Sequence, residues 1–142
     1  MTKVRTYVDA NVLIAAWNAE KEPRAWARAV LDDPQRRFII SDFVRLEVLP
    51  KPEFHRKTRE LAFMHMVFST AENVPVSTAL VQRALAMAGR YDLSPLDALH
   101  LAAAAEARVD ELVTMERPEK PMCRQTEVRV ISLRVLDEQG KA

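Results

Sequence analysis

Apolar positions along the chain fall into short β-type runs separated by longer stretches of helical periodicity. Val4 to Val8 (VRTYV) combines β-branched and aromatic residues and reads as a strand closed by Asp9. Helical patterning follows from about Ala10 to Ala19 and again from Pro23 to about Asp32, where Pro23 suits a first turn and Asp33-Pro34 a stop. Phe38-Ile39-Ile40 predicts a second buried strand. Ser41 predicts the cap of a helix running to about Leu49 and ended by Pro50 and Pro52. Arg56 to about Ser69 reads as a further helix and Val74 to Val76 as a third strand. From Ser77 to Tyr91, residues Leu80, Ala84, Met87, Ala88 and Tyr91 make one apolar stripe at helical spacing. Asp92-Leu93 breaks it, and Ser94-Pro95 opens an alanine-rich helix to about Ala107. Leu112-Val113-Thr114 and Val128 to Leu133 predict the fourth and fifth strands, with residues 117–126 as the least regular stretch.

Helix and strand signals alternate throughout, which predicts an α/β domain with a mostly parallel sheet of about five strands. The length of 142 residues suits a single domain over 1–142, large enough to bury roughly two-thirds of the unfolded surface. Hydrophobic residues at 49% and charged residues at 29% belong to a globular chain rather than a disordered one. Cys123 stands alone, which excludes an internal disulfide and any multi-cysteine zinc site. With only Gly89 and Gly140, neither a dinucleotide fingerprint, a P-loop nor a Gly-x-Ser-x-Gly elbow can be written. Lys3, Arg5 and Asp9 interrupt the N-terminus before a signal-type apolar region forms, and the run Val12 to Trp17 is too short for a bilayer. A cytoplasmic protein without a membrane partner is expected. The 21 basic and 20 acidic residues leave a net charge of +1, so any nucleic-acid contact has to come from local patches.

Four acids occupy informative positions. Asp9 ends the first predicted strand and Glu116 follows the fourth, and open parallel sheets bind ligands at such carboxyl ends. At about 100° per residue, Glu47 falls near the centre of an apolar face defined by Phe43, Val44, Leu46 and Val48. An ionised carboxylate there needs a partner or a water-seeking rotamer at the edge of the core. Asp97 is the third helical residue after Ser94-Pro95, which also fits a capping box favoured by the helix dipole. Asp9 equally fits a cap for the helix beginning at Ala10, and Glu116 a solvated charge in Glu116-Arg117-Pro118-Glu119-Lys120.

Taken together, Val8-Asp9-Ala10-Asn11-Val12-Leu13-Ile14, Ser41 to Glu47, Leu96-Asp97-Ala98-Leu99-His100-Leu101-Ala102-Ala103-Ala104 and Leu112-Val113-Thr114-Met115-Glu116 resemble, in order and spacing, the four acidic segments of a PIN domain. The resemblance spans essentially the whole chain and implies a PIN-like α/β/α sandwich. It also implies that Asp9, Glu47, Asp97 and Glu116 are metal ligands and catalytic residues. Asn11 is expected to orient the Asp9 carboxylate or simply to suit the helix start, and Thr114 to hold a metal-bound water or simply to fill the strand. Where the family usually has aspartate two residues after the strand-four threonine, this chain has Glu116, one methylene longer.

The implied activity is metal-dependent hydrolysis of RNA phosphodiester bonds. Oxygen donors without histidine or cysteine select a hard cation, Mg²⁺ or Mn²⁺, rather than Zn²⁺. Similarity to VapC-type toxins further implies an RNA substrate, a small antitoxin and a homodimer. The alternatives are an orphan PIN nuclease in RNA processing, a PIN-like binding module that has lost catalysis, and a scaffold whose acids are caps and surface charges. Arg45, Lys51, His55, Arg56, Lys57 and Arg59 form one basic cluster and Arg117, Lys120 and Arg124 another, the compensating charge that RNA requires beside acids. The histidines His55, His65 and His100 have no ligand-like spacing; His100, three residues after Asp97, is within reach of the pocket, with helix packing the favoured reading. Cys123 is expected to be a small buried hydrophobe.

Overall fold

The computed structural model describes residues 2–134. Its centre is a five-stranded, all-parallel sheet in the order β3-β2-β1-β4-β5. The strands are β1 (Val4–Val8), β2 (Arg36–Ser41), β3 (Glu72–Val74), β4 (Glu111–Thr114) and β5 (Val130–Ser132). Helices α1 (Ala10–Asn18) and α2 (Lys21–Leu31) connect β1 to β2, and α3 (Asp42–Val48), α4 (Pro50–Phe54) and α5 (Thr58–Ser69) connect β2 to β3. Then α6 (Thr78–Tyr91) and α7 (Pro95–Glu106) cross to β4, and α8 (Pro121–Arg124) precedes β5. Thr6, Tyr7 and Val8 are successive residues of β1 and all are fully buried. Neighbouring strand residues point to opposite faces, so both faces of the sheet are covered, the α/β/α arrangement of a PIN-like fold. Among the described residues no helix is long and apolar enough to cross a membrane.

Several boundaries depart from expectation for identifiable reasons. Pro50 does not end helical structure; it opens α4, because a first-turn residue has no intrahelical N–H partner to lose. The stretch 117–126 contains the helical turn α8, after which Gln125 organises the chain. Its amide donates to the carbonyls of Met122 and Val128 at 3.2 and 2.6 Å and accepts from the N–H groups of Glu127 and Val128. β3 lies at Glu72–Val74 rather than 74–76, since it pairs with Ile39–Ser41 and Pro75, which follows, cannot donate to a ladder. β5 is shortened to Val130–Ser132, opposite Leu112–Thr114.

The buried carboxylate Glu111 sits at the start of β4, at the N-terminal edge of the sheet. It accepts from Thr6 Oγ1 at 2.8 Å and Arg36 Nε at 3.0 Å, a closed set of partners that ties three strands together. The opposite edge carries acids whose partners are of another kind. α7 reaches that edge by lying close on the sheet: Ala98, Leu101, Ala102, Ala103 and Ala104 are buried, and their small side chains permit close approach.

α6 ends on a residue forced into a left-handed conformation. Asp92 has φ 55° and ψ 49°, while the N–H of Leu93 donates to the Ala88 carbonyl at 3.2 Å. This is a Schellman-type close in which glycine is the unstrained residue. Asp92→Gly is expected to stabilise the protein by about 0.5–1 kcal/mol, measured as a higher urea midpoint with an unchanged slope. A lower midpoint would show that the Asp92 side chain contributes more than its backbone strain costs.

Candidate metal centre

Asp9 occupies the residue between β1 and α1. Its backbone stands at the N-cap of α1, yet its side chain makes no capping bond. Instead Oδ2 accepts a hydrogen bond from Thr114 Oγ1 at 2.7 Å, and the residue is only 5% exposed. Burial holds this carboxyl above the ordinary aspartate range. The neighbouring His100 and the Thr114 hydroxyl pull it down, and the charges of Glu47 and Asp97 push it up again.

Glu47 comes from the far side of the crevice. Val44 and Val48 anchor α3 in the core, and Glu47 lies between their stripe and Phe43 on the wheel. Its side chain is 26% exposed, with Oε1 2.9 Å from His100 Nε2. The sequence-based wheel was wrong about Leu46, which is exposed, but Glu47 does leave the apolar face toward a partner.

That partner is a correction. His100 packs in the core and also faces the pocket: its Nε2 lies 2.9 Å from Glu47 Oε1 and 3.8 Å from Asp9 Oδ1, and the residue is 1% exposed. Behind it, Nδ1 lies 2.8 Å from Tyr7 Oη, which is 2.6 Å from Ser41 Oγ. Ser41 is at the N-cap of α3 by backbone alone; its hydroxyl serves Tyr7 instead of the helix. The buried tyrosine was the available signal in the sequence, because a phenol deep in a parallel sheet has to find a polar partner.

Asn11 acts on Asp9 through Thr114. Its Nδ2 donates to Thr114 Oγ1 at 3.3 Å, its Oδ1 accepts from the Met115 N–H at 3.0 Å, and the Glu116 N–H also donates to Thr114 Oγ1, at 3.1 Å. Receiving two donors, the hydroxyl is free to give its own hydrogen to Asp9. Asp97 lies at the third position of α7, where Ser94 Oγ accepts from its N–H at 3.3 Å. The serine half of a capping box is present. Among the described residues no hydrogen bond ends on the carboxylate of Asp97 or of Glu116. Three residues apart on one helix, Asp97 and His100 share a face. Glu116 is half-buried just beyond β4. Cys123 is half-buried rather than fully buried; burial and then the charges of Glu116, Asp97 and Asp9 push its thiol up to about 11, so it stays protonated.

Asp9, Glu47 and His100 each offer a ligand atom, and all three atoms lie within 4.8 Å of one another. Two carboxylates this close repel unless a cation lies between them. The donor chemistry therefore fits a cation; the Asp97 charge is felt at Asp9, but Asp97 and Glu116 both stand outside the group of three donors.

A family model described as PIN domain matches residues 6–117. A search of curated proteins finds no match. Among solved structures, a toxin-antitoxin complex from Klebsiella pneumoniae is similar with TM-score 0.69 and 25% identity, covering 89% of this chain and 96% of the other. VapBC2 from Rickettsia felis, bound to a promoter DNA fragment, has TM-score 0.70 and 14% identity, covering 91% and 98%. Mycobacterium tuberculosis VapC20, described as a Sarcin-Ricin loop cleaving toxin, has TM-score 0.64 and 19% identity, covering 87% and 98%.

Because Asp9 is held above the ordinary carboxylate range, the folded chain binds its proton more readily than the unfolded chain does. Its contribution favours folding below that ordinary range and is lost as pH rises through the raised value. At neutral pH the Asp9 carboxyl therefore disfavours the fold relative to a neutral side chain. Asp9→Asn is expected to raise the melting temperature of the metal-free protein at neutral pH by about 3 °C, the scale of a roughly 1 kcal/mol gain in a domain this size. A fall in melting temperature would contradict the electrostatic account of the pocket.

Proposed function

The chain belongs to the PIN domain family, and from that membership we propose that it is a divalent-metal-dependent endoribonuclease, the toxin of a toxin–antitoxin pair. Proteins of this family are nucleases. The observation that carries the proposal is the approach of Asp9 and Glu47, with His100, within 4.8 Å at the carboxyl edge of the sheet. Asp9, Glu47, Asp97 and Glu116 would hold Mg²⁺ or Mn²⁺. When bound, such an ion supplies a nucleophilic water at neutral pH and charge stabilisation of the scissile phosphate. Thr114, braced by Asn11, fixes the rotamer of Asp9 so that one carboxylate oxygen stays free for the site.

RNA next to these acids requires cationic surface. Arg56, Lys57 and Arg59 line an open cleft of about 540 Å³ with Trp17 and Asn18. Trp17 lies eight residues along α1 from Asp9, roughly 12 Å at the rise of a helix, a distance that an extended RNA backbone spans. Arg45 is less available than its sequence cluster suggests, since its guanidinium rests 5.0 Å over the Phe68 ring. A small antitoxin and a second copy of the chain complete the proposal. Similar structures are VapBC assemblies. The groove between α6 and α7, lined by Val81, Ala84, Leu85, Ala88, Leu93 and Leu99, offers apolar surface for the second copy, with Leu85 70% exposed.

In a cleavage assay on structured RNA, Mn²⁺ is expected to support endonucleolytic products in wild type, about 100-fold fewer in Asp9→Asn, and an intermediate loss in Glu116→Ala. Intact RNA with wild-type protein in either Mg²⁺ or Mn²⁺ would favour the non-catalytic binding module. Equal cleavage by wild type and Asp9→Asn would remove the site altogether. Millimolar Mn²⁺ should also raise the melting temperature of wild type and do so much less in Asp97→Asn, because an ion that binds only the folded chain stabilises it. Lys57→Glu is expected to raise KM and flatten its salt dependence while leaving kcat close to wild type.

A further inference from the structure

We propose that His100 is itself a metal ligand, making this a mixed nitrogen–oxygen centre that favours Mn²⁺ over Mg²⁺. The inference rests on the metal-dependent reading above and adds a donor that the four-carboxylate pattern does not contain.

The geometry points to Nε2. It is the histidine atom that faces both carboxylates, at 2.9 Å from Glu47 and 3.8 Å from Asp9. All three donor atoms lie within 4.8 Å of one another, close enough to address one ion. The same ring has a buried partner on its other side, as metal-binding histidines almost always have. Nε2 lies within hydrogen-bond distance of Glu47 and Nδ1 within that of Tyr7, and the donor in each pair is set by the ring's tautomer. Coordination requires the lone pair at Nε2, so the ring proton must be on Nδ1. Tyr7 Oη, 2.8 Å away, can accept that proton's hydrogen bond and turn its own hydrogen to Ser41 Oγ, 2.6 Å further on. Hydroxyl groups donate and accept, so the relay Ser41–Tyr7–His100 supports either tautomer. A histidine kept only to neutralise acids would need no such reversible chain behind it. Phe43 packs edge-on against the ring, with centroids 6.4 Å apart, and helps hold its plane.

An imidazole donor changes which ion is preferred. Mg²⁺ favours oxygen donors and near-ideal octahedral geometry, whereas imidazole raises affinity for Mn²⁺ and later first-row ions. Tyr7 and Ser41, both fully buried, then act as positioning residues for metal selection.

The test is pulsed electron paramagnetic resonance on Mn²⁺-loaded protein, supported by Mn²⁺ and Mg²⁺ titration. Wild type is expected to show coupling to one directly bound histidine nitrogen, which changes isotope pattern when the protein is made with ¹⁵N-histidine. The coupling should vanish in His100→Asn and persist in His55→Gln and His65→Gln. Tyr7→Phe keeps the ring packing and is expected to weaken Mn²⁺ binding about tenfold, with a much smaller effect on Mg²⁺. Bound Mn²⁺ without histidine coupling, or coupling that survives in His100→Asn, would overturn this inference and leave the oxygen-ligated centre standing. Failure of wild type to bind Mn²⁺ at all would overturn both.

Discussion

A carboxylate almost wholly withdrawn from water is costly unless its surroundings supply hydrogen bonds or opposite charge. Asp9 is in that position, and the edge of the sheet is arranged around it. Thr114 donates to one oxygen; His100 faces the other; Glu47 closes the space beyond. These contacts offset the burial only in part, which is why the group sits above its ordinary range. Contrast with Glu111 at the other end of the sheet is instructive. That equally buried acid is satisfied by Arg36 and Thr6 from within the chain. Among the described residues no arginine pairs with Asp9, and a divalent ion is the charge proposed for that place.

Topology explains how residues so distant in sequence meet. In the order β3-β2-β1-β4-β5, β1 is flanked by β2 and β4, and the chain leaves the carboxyl ends of all three beside one another. Asp9 leaves β1, Ser41 ends β2, Thr114 ends β4, and α7 brings Asp97 and His100 across the same edge. Strand direction reverses its lateral course next to β1, the switch point at which open α/β sheets bind ligands. Pairing of Tyr7 with Ile39 and Leu112 keeps the three exits level.

The parallel fold was legible because its strands are short apolar runs between helical stretches, whereas strand end and wheel only marked Asp9 and Glu47 and the PIN resemblance joined them. What stayed illegible depends on side-chain choice after folding. Ser41 and Asp9 both look like caps by position, and both turn their oxygens to tertiary partners instead. His100 could not be found by ligand spacing, since its co-ligands lie 91 and 53 residues away in sequence. Asn11 stands where it would bond Asp9 directly, yet Thr114 lies between them. The sequence-local rules failed where tertiary hydrogen bonding outbid local capping, and those failures cluster at the site.

In the proposed centre, Glu116 is a longer acid where a shorter one is usual. Its backbone is pinned on both sides, the N–H to Thr114 Oγ1 and the carbonyl to the Ser132 hydroxyl. The strand end therefore fixes its Cα, and only the side chain can take up the extra methylene. With no protein hydrogen bond on its carboxylate among the described residues, that side chain keeps its rotamer freedom in the metal-free state. An aspartate here would be preset and a glutamate has to be drawn in, so ordering it costs up to about 1.5–2 kcal/mol of side-chain entropy. A nitrogen donor already fixed by Tyr7 and Phe43 lessens the dependence of the centre on this fourth acid. In the proposed donor set, the imidazole of His100 is the fixed member and the carboxylate of Glu116 the one that has to be ordered.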